Sequence, residues 1–188
     1  MADHDLLRKL LTRIANYYPK KRMRMLRFLT QAVYVSYEQL GDCVSVIEIY
    51  DKIVESGHLS DTASAVALLR YMLRITGYHR ENDLRELDVH CAEEFSLSSR
   101  LPRLPFYERL LVLSSKLLKD GRFERFKSAI DEDKLNKSKQ DLSSPMDLFQ
   151  SMIYKGTLDP DNYSTLKNEV VPLLEQCAVT EVQLLGMF

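Results

Sequence analysis

Apolar residues recur at steps of three and four along almost the whole chain, the spacing of a helix that buries one face. Leu6, Leu7, Leu10, Leu11, Ile14, Tyr17 and Tyr18 form a first stripe, which Pro19 interrupts. Met25, Leu26, Leu29 and Val33 form a second. Val46, Ile47, Tyr50, Ile53 and Val54 predict a helix that stops at Gly57, a residue suited to the position just past a helix end. Ser60 is placed to cap the next helix, whose stripe passes through Ala65, Val66, Leu69, Met72 and Leu73 and ends at Gly77. A short helix from Glu81 to Val89 closes the first half.

The second half repeats these features. Phe106, Leu110, Leu111, Leu117 and Leu118 mark a helix ended by Asp120-Gly121, and Phe123, Phe126 and Ile130 mark the next. The polar run 131–143 reads as loop or as one short solvated helix. Ser144-Pro145-Met146-Asp147 is a helix start, with a capping hydroxyl, proline at the first helical position and an acid in the first turn. That helix closes at Gly156; Asp159-Pro160 opens another, which Pro172 should shorten or kink, and 179–187 give a last one. Leu10-Leu11 is answered by Leu110-Leu111 and Gly57-His58-Leu59 by Gly156-Thr157-Leu158, a spacing of about 100 residues. A period that long means two copies of a small domain rather than a solenoid of units of about 20–50 residues. The expected organisation is therefore all-α, with domains at 1–95 and 106–188 joined by a linker at 96–105.

Composition narrows the function classes. The 188 residues carry a net charge of −1, and the charge divides evenly: 13 basic and 14 acidic side chains in 1–99, 13 of each in 100–188. Neither half is the cationic surface that nucleic-acid binding usually needs. The three cysteines, Cys43, Cys91 and Cys177, are far apart and form no CxxC, which argues against a disulfide framework or a zinc site. No run approaches the roughly 18 apolar residues of a membrane span. These features lead to the expectation of a cytoplasmic protein without cofactor or metal, bound to neither nucleic acid nor membrane. His4, His58, His79 and His90 show no ligand spacing, and there is no phosphate loop or GxSxG, so no enzyme activity is expected.

Particular residues bring a family into view. Asp159 to Lys167 resembles the start of the fifth helix of death effector domains, and Met146-Asp147-Leu148-Phe149 with Lys155-Gly156-Thr157-Leu158 resembles the fourth helix and its turn. Leu26-Arg27-Phe28-Leu29 is similar to the apolar signature of the second helix. Leu73-Arg74-Ile75 and the later Asp83-Leu84 look like the end of the fifth helix and the Arg-x-Asp-Leu motif of the sixth. The resemblance covers nearly the whole chain and implies two tandem six-helix death-fold bundles. It further implies partners: a FADD-like adaptor and the death effector domains of initiator caspases, met through homotypic contacts, with self-assembly into filaments. The chain then reads as a regulator of caspase recruitment, either an initiator-caspase prodomain or a FLICE-inhibitory-like protein. The rival reading is a helical scaffold unrelated to cell death.

The resemblance also assigns contact residues. The acid of the second helix and the arginine of Arg-x-Asp-Leu align with Arg22 and Glu81 in the first copy, and with Arg122 and Glu181 in the second, an ion pair with its charges exchanged. A shift of one residue would instead put Arg80 in the motif's arginine position. Phe28-Leu29 stands where the family exposes an apolar docking pair, although Leu29 also fits the core stripe; the second copy has Ser128-Ala129 there. The basic run Lys20 to Arg27 reads as a solvated face, as a contact for an acidic partner, or as a nucleic-acid or anionic-lipid contact that no second basic cluster accompanies, and Glu81, Asp83, Glu86 and Asp88 read as a solvated set or as its complement in self-association.

Overall fold

The computed structural model describes residues 2–59, 61–91 and 97–177, and among these every regular element is a helix. Six α-helices occupy the first part: α1 (Ala2–Tyr17), α2 (Met23–Thr30), α3 (Tyr37–Leu40), α4 (Val46–Glu55), α5 (Thr62–Ile75) and α6 (Glu81–Asp88). One more turn, α7 (Leu97–Arg100), precedes α8 (Leu104–Leu117), α9 (Arg122–Ala129), α10 (Pro145–Lys155) and α11 (Ser164–Gln176). The chain divides into two compact units, 1–104 and 105–188.

In the first unit α1 packs on α4 and α6, while α2 is enclosed by α3, α4 and α5. The helix starts are written in the sequence: Ser36 with Gln39 and Ser45 with Glu48 form reciprocal capping boxes that satisfy backbone donors at α3 and α4. The cap of α5 is Asp61, whose carboxylate accepts from the Ser64 amide at 2.7 Å; Ser60, the expected cap, lies outside the described residues. The expected linker is not a free strand of chain. Its residues 97–100 are helical, Leu101 and Leu104 are buried, and Arg100 donates to Ser64 Oγ at 2.9 Å, so this stretch belongs to the first unit.

In the second unit the polar run forms two 3-10 turns, Glu132–Lys134 and Lys139–Asp141, rather than one helix. They are held from α10, where Ser151 Oγ accepts from the Asn136 amide at 3.0 Å and donates to Asn136 Oδ1 at 2.7 Å. Helix α11 begins at Ser164, later than Asp159-Pro160 suggested, because Asp159 turns the chain back on itself: its carboxylate accepts from the Asp161 amide at 2.9 Å. It then continues through Pro172, so that of the expected shortening or kinking the proline does not bring the first. The expected helix at 179–187 lies outside the described residues.

The two units share their landmarks. Ser45 and Ser144 cap α4 and α10 in the same way. Each helix is followed by a glycine with left-handed backbone, Gly57 at φ +71° and Gly156 at φ +84°, and then by a buried leucine, Leu59 or Leu158. The buried Leu10, Leu11 and Leu26 recur as Leu110, Leu111 and Phe126.

Candidate interaction site

One end of the first unit concentrates the charged residues that the sequence singled out, and Asp83 is its centre. Asp83 stands in the first turn of α6, where a negative charge is favoured by the helix dipole, and is only 2% exposed. Its Oδ1 accepts from Arg13 Nε of α1 at 2.9 Å, and its Oδ2 accepts from Arg80 Nε at 3.0 Å and from the Tyr78 hydroxyl. Arg13 also pairs with Glu86 at 2.7 Å, one turn further along α6. Burial, reinforced by donation to the Asp83 carboxylate, pushes the Tyr78 phenol well above the usual tyrosine range.

Gly77 makes this arrangement possible. At φ +90° it ends α5 with the Tyr78 amide donating back to the Leu73 carbonyl at 2.9 Å, which turns Tyr78 toward Asp83. A Cβ at Gly77 would come within 2.7 Å of Arg22 Nη1, which donates to the Gly77 carbonyl at 2.6 Å. Tyr18 completes the corner, its hydroxyl 2.8 Å from Thr76 Oγ1 and its ring 6.2 Å from that of Tyr78. Burial pushes Tyr18 up to about 12, with the Thr76 hydrogen bond and the Arg22 charge acting in the opposite direction. Arg80 lies over the exposed Tyr17 ring, its guanidinium carbon 3.5 Å from the centroid.

This geometry corrects several sequence expectations. Arg22 is not the partner of Glu81. Its guanidinium is taken by the Gly77 carbonyl, and Glu81 faces Arg74 at 3.8 Å. The arginine that meets the Asp-Leu of α6 is Arg80, as the shifted alignment allowed. The acidic set is not an unbalanced surface either: Glu86 is paired with Arg13, Asp88 with Arg70 and Asp83 with two arginines of its own unit. Phe28 and Leu29 are 1% and 0% exposed, so neither offers a partner its side chain. The reason is the enclosure of α2 on three sides, which buries Phe28, Leu29 and Thr30 in succession rather than one stripe.

In the second unit α9 buries only Phe126, with Ser128 exposed and Ala129 half-buried. Arg122 is half-buried at the start of α9, while Glu181 lies outside the described residues.

Sequence reasoning missed Arg13 and Tyr78, which contact Asp83. The signals were present: Gly77 next to a tyrosine at the end of α5, and an arginine one turn before the end of α1. It also missed Tyr34, which has a left-handed backbone at φ +64°. The Tyr34 ring stacks on His58 at 4.4 Å between centroids and lies under the Arg103 guanidinium at 4.1 Å. Beside it is a hollow of about 220 Å3 lined by Val33, Tyr34, Val35, Gln39, Lys52, Glu55 and Ser56.

Among the described residues no group of three or more His, Cys, Asp or Glu side chains is placed to hold a metal ion, and no helix is long and apolar enough to cross a membrane. Comparison with known proteins finds no family model, no curated protein and no solved structure that matches this chain.

Proposed function

We propose that this chain is a tandem death effector domain protein, two six-helix death-fold bundles that act by homotypic contact. In this reading it binds a FADD-like adaptor and initiator-caspase death effector domains in the cytoplasm, regulates caspase recruitment without catalysis, and self-assembles. The observation that carries the reading is the recurrence of one set of landmarks in both units: a serine cap, a left-handed glycine and a buried leucine around α4 and again around α10. Six α-helices in 2–88, with an arginine–aspartate contact at the start of α6, add to it.

The contacts belong to outer faces, because the acidic residues around Asp83 are neutralised within the unit and Phe28 serves the core. The exposed part of the basic run, Lys20 and Lys21, then offers the cationic corner that an acidic partner face would meet.

Titration of the purified chain with the death effector domain of an adaptor from the same organism tests the reading. Saturable binding that weakens when Lys20 and Lys21 are both changed to Glu is the expected result. No binding by the wild-type chain under conditions where the adaptor binds an initiator-caspase prodomain would refute it.

A further inference from the structure

We propose that the corner formed by the end of α1, the Lys20–Arg22 turn and the end of α5 docks on the anionic surface of a lipid bilayer. The proposal does not rest on the reading above, although it uses the same two lysines.

The even charge of residues 1–99 hides a local excess. Around this corner the acids are taken up within the unit: Asp83 by Arg13 and Arg80, Glu86 by Arg13, and Glu81 by Arg74. Among the described residues no carboxylate pairs with Lys20, Lys21 or Arg22. Lys20 and Lys21 are exposed on a 3-10 turn, and the half-buried Arg22 is held by a neutral partner, the Gly77 carbonyl. The expectation of a chain that ignores membranes followed from charge totals, which do not register where the acids are used.

Two exposed side chains of another character flank these cations. Tyr17, 56% exposed, closes α1, and Ile75, 38% exposed, closes α5. The two helix ends are fastened to the cationic turn, since the Tyr18 hydroxyl lies 3.2 Å from the Arg22 carbonyl oxygen and 2.8 Å from Thr76 Oγ1. A tyrosine, with an apolar ring and a polar tip, suits the boundary between headgroups and acyl chains, and an isoleucine gains from the apolar layer beneath. Nucleic acid would offer phosphates to the lysines and nothing to Ile75. An acidic protein face would need carboxylates fixed opposite each cation, whereas mobile anionic headgroups gather wherever the cations stand. Each lysine near such a surface strengthens binding about fivefold, so the association is reversible and sensitive to salt.

Flotation of the full chain with vesicles of phosphatidylcholine, alone or with about one-third phosphatidylserine, provides the test. The wild type is expected to bind the anionic vesicles, to ignore the neutral ones, and to be released as salt rises from about 0.05 M to about 0.5 M. Lys20→Gln with Lys21→Gln should weaken binding about 25-fold with unchanged helicity. The same loss of charge at Lys155 and Lys167, both exposed in the second unit, should leave binding intact. Tyr17→Trp gives the chain its single tryptophan and preserves an aromatic face for Arg80, so its emission should move to shorter wavelength on anionic vesicles and stay unchanged on neutral ones. No preference for anionic vesicles, a Lys20 and Lys21 variant that binds like wild type, an equal loss in the Lys155 and Lys167 variant, or an emission that does not move overturns the proposal. So does an RNA oligonucleotide bound more tightly than the vesicles at the same salt. A chain that binds the adaptor and not the vesicles sinks this proposal alone, and the reverse sinks recruitment alone.

Discussion

A carboxylate taken out of water keeps its charge only where cations and hydroxyls replace the lost solvent, and Asp83 receives Arg13, Arg80 and the Tyr78 hydroxyl. Removing it leaves two arginines that are 42% and 47% exposed and can return to water. Asp83→Asn should therefore destabilise the first unit by about 2 kcal/mol, below the 3–5 typical of a stranded buried charge; urea unfolding measures it. The tyrosines of the same corner make a pH prediction. Tyr18 has a folded-state value of about 12 against about 10 when unfolded, so its neutral form is the one that folding favours. Its contribution is complete below pH 10 and lost as pH rises toward 12, up to about 3 kcal/mol, and Tyr78 adds a loss of the same sign. Alkaline unfolding followed by helicity should begin above pH 10 and move to higher pH in Tyr18→Phe. Phe28 belongs to the core, so Phe28→Ala should lower stability by about 3–5 kcal/mol rather than selectively remove a partner, as thermal melting with and without adaptor would reveal. That reassignment shows the reach of a hydrophobic stripe. The stripe reading presumes one buried face, and Phe28 stands off it; only the enclosure of α2 by α3, α4 and α5 makes it internal.

At the scale of elements, the longer helices were legible because their signals are local. Ser144 with Pro145 marks a start, and Gly57 and Gly156 mark stops, from a few adjacent residues each. What escaped depended on shorter or competing signals. Helix α3 has a single turn and too few apolar residues to form a stripe, although its Ser36–Gln39 capping box is written in the sequence. At Asp159 a side chain that could have capped α11 instead holds its own turn. Pro172 sits within α11, where the missing amide removes one backbone hydrogen bond without ending the helix. The common caps make a paired prediction. Ser45→Ala and Ser144→Ala should each destabilise by about 1 kcal/mol, each in its own unit, because one hydroxyl does the same task in α4 and α10. Amide hydrogen exchange resolved by residue distinguishes this from an effect on the whole chain.

For the molecule as a whole, a spacing of about 100 residues suggested two copies of one domain, and the chain divides into two compact units at 104/105. The attachment of 97–104 to the first unit was not visible, because Arg100 reaching Ser64 and Arg103 covering Tyr34 are contacts between distant positions. The candidate site was hidden for the same reason: its acids and bases were identifiable singly, but the pairing of Asp83 with Arg13 spans 70 positions. In this reading each half is a helical bundle with its own core. Expressing residues 1–104 and 105–188 separately and melting each by circular dichroism tests it most directly. Two helical fragments, each with a cooperative transition, are predicted; a fragment that is unfolded alone and gains structure only when the other is added would contradict the account.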